Sequence, residues 1–199
     1  MVLGAREEMR IFRKGCLVLL VITLMGCVAL AEGDYTRDDV LPFMQNEPAP
    51  VFTLPTTAGD LVSLSDYAGK PVLVLVWESS SEECLSTLAQ LPYAKRTYPD
   101  VVILTVNSVL SERNQALWST GALLEHENWI QGYFYENAYP FPALIDCTGE
   151  VVYQLQYAST TLPIAHFIDR EGILRISWQG RLSRQTVDTL LSMMIALDS

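Results

Sequence analysis

The sequence predicts an α/β fold built from parallel βαβ units, closed by an antiparallel hairpin and a helix, with a hairpin extension on the N-terminal side. Three observations carry that expectation. PVLVLVW (71–77), VVILTVN (101–107) and FPALID (141–146) are continuous apolar runs, the mark of strands buried on both faces of a parallel sheet. The stretches between them have helical spacing, and parallel strands need such crossovers. Beyond residue 163, IAHFID and ILRISW flank Arg170-Glu171-Gly172, a turn between two strands.

Residues 1–31 read as an export signal. Arg10, Arg13 and Lys14 precede the uncharged run GCLVLLVITLMGCVALA (15–31), which is shorter than the ~20 residues that span a bilayer. Ala29-Leu30-Ala31 suits signal peptidase, whereas Leu24-Met25-Gly26-Cys27 resembles a bacterial lipobox and makes Cys27 the candidate lipidation site. Met1 and Met9 both stand as starts. Either processing route puts the mature chain outside the cytoplasm, secreted or held at the cell envelope through the leader or a lipid on Cys27. Disulfides persist there.

Residues 32–47 (EGDYTRDDVLPFMQNE) form an acidic stretch with little periodicity and read as a linker. The folded domain is expected over 48–199, long enough to bury roughly 70% of its unfolded surface in one core. FTLPTTAGDLVSL (52–64) predicts two short strands about a Gly59-Asp60 turn. After strand 71–77, residues 81–98 space Cys84, Leu85, Leu88 and Leu91 as on a helix, which Pro92 should kink or end. A helix is predicted over 111–131 after the second strand, with Gly121 a candidate break. EVVYQLQY, after the third strand, predicts a short helical turn. The hairpin strands are placed at 164–169 and 173–178. A last helix over 183–197 should bury Val187, Leu190, Leu191, Met194 and Ile195.

Composition narrows the function. The 199 residues are 50% hydrophobic and 18% charged, which excludes a disordered chain. Net charge is −10, and removing the four basic and two acidic residues of 1–27 leaves nine against twenty-one, a net −12. General nucleic-acid binding needs the opposite sign. The four cysteines lack the paired Cys-x-x-Cys and His spacing of a zinc site, so neither metal nor cofactor is expected.

The stretch APVFTLPTTAGDLVSLSDYAGKPVLVLVW (49–77) resembles the opening of extracytoplasmic thioredoxin-like proteins of the TlpA/ResA type and their AhpC/TSA redoxin relatives. Thr161-Leu162-Pro163 before IAHFID is similar to that family's cis-proline loop, and IDREGILR to its closing hairpin. The resemblance covers about 48–197 and implies a thioredoxin-like fold. In the family the first strand runs into Trp-x-x-Trp-Cys-x-x-Cys. Here the stretch is Trp77-Glu78-Ser79-Ser80-Ser81-Glu82-Glu83-Cys84, so Ser81 stands where the attacking cysteine is expected and Cys84 keeps the second position. A serine hydroxyl cannot replace a thiolate that a helix N-terminus stabilises. Two-cysteine exchange within this motif is excluded.

Each candidate residue also has a plain structural reading. Ser81 reads as a helix N-cap followed by Glu82 and Glu83, which suit the dipole. Cys84 reads either as an inert thiol or as a single reactive one. The helix terminus favours its thiolate, and the two glutamates oppose it. Trp77, Leu162 and Pro163 are placed along a substrate groove, with Tyr93 a further candidate. His166 reads as a satisfied core histidine or as a base for Cys84, and His126 as solvated. Cys147 reads as a free thiol, or as a disulfide partner of Cys84 if their Cα atoms come within about 7 Å. The aromatic group Trp129, Tyr133, Phe134, Tyr135, Tyr139 and Phe141 reads as packing or as a binding face.

Three functions follow. The first is a thiol oxidoreductase-type protein with Cys84 as its only motif thiol. The second is a peroxiredoxin-like peroxidase, since Trp77-x-x-x-Ser81-x-x-Cys84 fits that spacing without its proline. The third is a non-catalytic redoxin-fold binding module. The corresponding partners are a thiol- or disulfide-bearing protein, or peroxide.

Overall fold

The computed structural model describes residues 43–108, 120–155 and 161–197. The expected export signal with candidate Cys27, residues 32–42 of the acidic stretch, and 111–119 of the predicted helix lie outside them. Eight strands are numbered in chain order as β1 (Phe43–Pro48), β2 (Thr53–Pro55), β3 (Leu61–Ser63), β4 (Val72–Trp77), β5 (Val102–Ser108), β6 (Ala143–Asp146), β7 (Ile164–Ile168) and β8 (Ile173–Gln179). The helices are α1 (Glu82–Leu88), α2 (Leu91–Thr97), α3 (Thr120–Glu136), α4 (Glu150–Leu155) and α5 (Arg184–Leu197), with a short 3₁₀ turn at Leu64–Tyr67.

Six strands form one sheet in the order β1-β8-β7-β4-β5-β6. β4, β5 and β6 are parallel; β7 and β8 return antiparallel. All six residues of β4 are buried, which explains why its sequence shows no alternation. Each such Val or Leu side chain contributes about 2 kcal/mol from burial, so this central strand is a main source of cohesion. β2 and β3 pair as the predicted hairpin, and Thr56 bridges to Leu144 at the β6 edge. The expected α/β architecture, its parallel strands and its closing hairpin are all present.

Four details differ from expectation. The stretch read as a linker to residue 47 contains β1, whose pairing with β8 satisfies backbone groups whatever the side-chain charge. Arg175 reinforces that pairing, because its guanidinium donates to Asn46 Oδ1 and to Asp169 Oδ2. The predicted helix over 81–98 is two helices. Pro92 falls in the first turn of α2, where its missing N–H costs nothing. α3 continues past the predicted end at 131 to Glu136, anchored by buried Ile130 and Phe134, and the residues before Thr120, on which a break at Gly121 depends, lie outside the described ones. Ile195 is 37% exposed, at the margin of the face made by Val187, Leu190, Leu191 and Met194.

Candidate functional site

The carboxyl end of β4 delivers the chain into the loop 78–81 and then α1. Ser81 is the N-cap of that helix: its hydroxyl accepts the Cys84 N–H at 3.3 Å and donates to Glu83 Oε2 at 3.2 Å. One orphan amide is thereby satisfied, and two carboxylates occupy the first turn. The place where a helix N-terminus would stabilise a thiolate is filled by a hydroxyl.

Cys84 is the third residue of α1 and has no exposed surface. Burial is the main influence on its thiol, pushing the pKa up to about 11. Hydrogen bonds from Ser81 and from the Glu78 backbone pull the other way, and the Glu78 and Glu83 charges add to the rise. Desolvation wins. At neutral pH the thiol is protonated and enclosed, without the properties of a nucleophile.

Pro163 sits beside this loop by register. Val76 pairs with Ile164, so Pro163, one residue earlier, is level with Trp77. The Leu162–Pro163 bond is cis, and the Pro163 carbonyl accepts the Gly180 N–H at 2.8 Å, which pins the loop to the end of β8. Leu162 is buried. Trp77 is also fully buried and turns its ring to Phe134, 5.8 Å away on α3, so it packs the floor of the site. Ser81, Cys84, Trp77, Leu162 and Pro163 therefore gather at one pole of the sheet.

His166 does not join them. It pairs with Val74, three residues back along β4, and strand alternation puts it on the face opposite Trp77. Its Nδ1 lies 2.8 Å from Ser177 Oγ, and the Leu155 backbone makes a further hydrogen bond. Burial lowers its pKa to about 4, so it is neutral inside the core. Cys147 lies just past β6, with β5 between it and β4, and both it and Cys84 are free thiols. Cys147 is exposed; partial burial and then the Glu127 and Asp146 charges raise its pKa.

His126, read as solvated, is instead 3.0 Å from Asn107 Oδ1. Asn107 is fully buried at the register position of Trp77. The only sequence signal for it was a polar residue closing the run VVILTVN. Tyr93 bonds Asp188 at 2.8 Å under the Arg184 guanidinium, so it joins α2 to α5. Phe134, Tyr139 and Phe141 pack edge to face or stacked, and Trp129 stacks on Tyr133. A cavity of about 150 Å³ lies at the opposite pole, between Val51, Tyr67, Lys70 and Arg170, away from all the motif residues. No cluster of three potential metal ligands occurs among the described residues.

The family model described as "AhpC/TSA family" matches residues 46–177. The thiol-disulfide oxidoreductase ResA of Bacillus thuringiensis subsp. konkukian is 23% identical, over 87% of this chain and 92% of its own length. Among solved structures, the exposed lipoprotein thioredoxin of Streptococcus pneumoniae is similar with TM-score 0.57 and 30% identity, covering 72% of this chain and 99% of its own. A DsbF homologue from Corynebacterium diphtheriae superposes with TM-score 0.63 at 16% identity, covering 80% and 96%. The last of these speaks for the fold alone.

Proposed function

The chain belongs to the AhpC/TSA family, and from that premise we propose that it is an extracytoplasmic thioredoxin-fold protein that has given up dithiol exchange and holds a thiol- or disulfide-bearing protein segment in the groove beside Pro163. Ser81 occupies the position of the attacking cysteine, and Cys84 remains as the single motif thiol. The leader holds the domain at the cell envelope, with Cys27 as the lipid attachment site. The pneumococcal relative, itself described as an exposed lipoprotein, supports that placement.

The observation that carries this reading is the enclosure of Cys84. A thiol with no exposed surface and a pKa near 11 reaches neither a disulfide nor peroxide at neutral pH. The same burial argues against the peroxidase reading. What persists is the framework for recognition: the helix N-terminus, the cis-Pro163 loop and the buried floor at Trp77.

Insulin disulfide reduction tests the proposal. The mature domain should stay at background, and Ser81→Cys should gain measurable turnover, because it puts a thiol at the helix N-terminus beside the Pro163 loop. Turnover by the unmodified protein that is lost in Cys84→Ala would overturn it.

A further inference from the structure

At the pole away from the motif residues, four stretches of chain enclose the cavity of about 150 Å³. They are the segment leaving β1, the 3₁₀ turn Leu64–Tyr67, the approach to β4 and the β7–β8 turn. Backbone bonds hold these walls together. The Ala49 N–H donates to the Gly172 carbonyl at 2.9 Å, the Gly69 N–H to that of Arg170 at 3.2 Å, and the Lys70 N–H to that of Tyr67 at 3.0 Å. The cavity is therefore formed before anything enters it, as small-molecule sites usually are. Ala49, Val51, Leu64, Tyr67, Val72 and Ile168 give it an apolar lining. A cavity of that size walled by apolar side chains takes one benzene ring. Val51 is 73% exposed, an apolar side chain kept in water at the mouth.

The charges around the cavity are not balanced. Asp169 and Glu171 both line it, but Arg175 engages both carboxylates. Asp169 also accepts the Ile173 N–H at 2.8 Å and has no exposed side-chain surface. The Lys70 ammonium, among the described residues, makes no hydrogen bond or ion pair, and Arg170 lines the same rim. The mouth thus offers an uncommitted cation in a chain whose net charge beyond residue 27 is −12. We propose that this cavity binds a small carboxylic acid carrying one aromatic ring or a short branched chain, with the apolar body inside and the carboxylate on Lys70. Burial of the body supplies most of the affinity, and the exposed ion pair selects the acid over its neutral analogue. The lining residues lie apart from Ser81, Cys84 and Pro163, so failure here leaves the function proposed for that pole standing.

Protein made from the full chain in a bacterial host, with its Val, Leu and Ile methyl groups labelled for NMR, can be titrated with phenylacetate. The methyl signals of Val51, Leu64, Val72 and Ile168 should shift together and saturate, with a dissociation constant on the order of 1 mM. Acetate, which lacks the ring, should bind at least about tenfold more weakly. Benzyl alcohol, which lacks the charge, should bind at least about threefold more weakly. Lys70→Gln should weaken phenylacetate by at least about threefold while the methyl spectrum of the free protein stays in place, and Lys70→Arg should restore the affinity. Shifts that do not saturate, that fall elsewhere on the domain, or that are unchanged in Lys70→Gln overturn the proposal. So does binding of acetate or benzyl alcohol that matches phenylacetate.

Discussion

The Cys84 thiol and the His166 imidazole are both held neutral by burial, and each ties stability to pH in its own direction. Cys84 keeps its proton to about pH 11 in the folded chain but releases it from pH 9.0 when unfolded. Its contribution is therefore complete below pH 9.0 and is lost as pH rises through 11, by up to about 3 kcal/mol. Urea denaturation at pH 8 and pH 11 should show that loss, and Cys84→Ala should reduce it. For His166 the unfolded ring gains a proton near pH 6.5 and the folded one only near 4. Its contribution is present above 6.5 and fades as pH falls through 4. His166→Gln should flatten the acid limb of the stability profile over that interval; an unchanged slope contradicts the buried neutral assignment. The sequence already offered a satisfied core histidine as one reading of this position. Ser177 reaches it from eleven residues on, across the β7–β8 hairpin, and Leu155 from eleven residues back, at the end of α4, so neither bond lies within the strand's own sequence.

At the scale of elements, helix α1 depends on its cap. Ser81→Ala removes the acceptor for the Cys84 amide and should lower stability by about 1 kcal/mol, measurable as a shift in the urea midpoint. Asp146 does comparable work after β6, where its buried carboxylate accepts the Gly149 and Val152 amides and the Thr148 hydroxyl. Asp146→Ala should cost more, about 3 kcal/mol, because the amides lose a charged acceptor inside the fold. Elements with strong local signatures were legible in the sequence. The run at 72–77 could only be a central strand, and the Ser81 cap followed from residue type and position. Elements decided by distant pairing were not legible. β1 looked like linker because its strand character comes from β8, some 130 residues later. The extension of α3 to Glu136 was missed because the burial of Ile130 and Phe134 cannot be read from the helix's own sequence.

At the scale of the whole molecule, the sheet sets site and non-site residues apart. The parallel strands send Trp77 and Asn107 to one carboxyl edge, the return strand brings Pro163 beside them, and the register leaves His166 behind in the core. Cys84 and Cys147 sit on opposite sides of β5, one enclosed and one open. That contrast places the two thiols of the described domain in a single experiment. Alkylation of the folded protein at pH 7 by iodoacetamide, followed peptide by peptide in a mass spectrometer, reads both at once. Cys147 should be modified while Cys84 stays on the order of a hundredfold slower, until denaturant or a pH near 11 releases it. Modification of Cys84 at a rate matching Cys147 in the folded protein would mean that the motif thiol is open and reactive, not enclosed and inert.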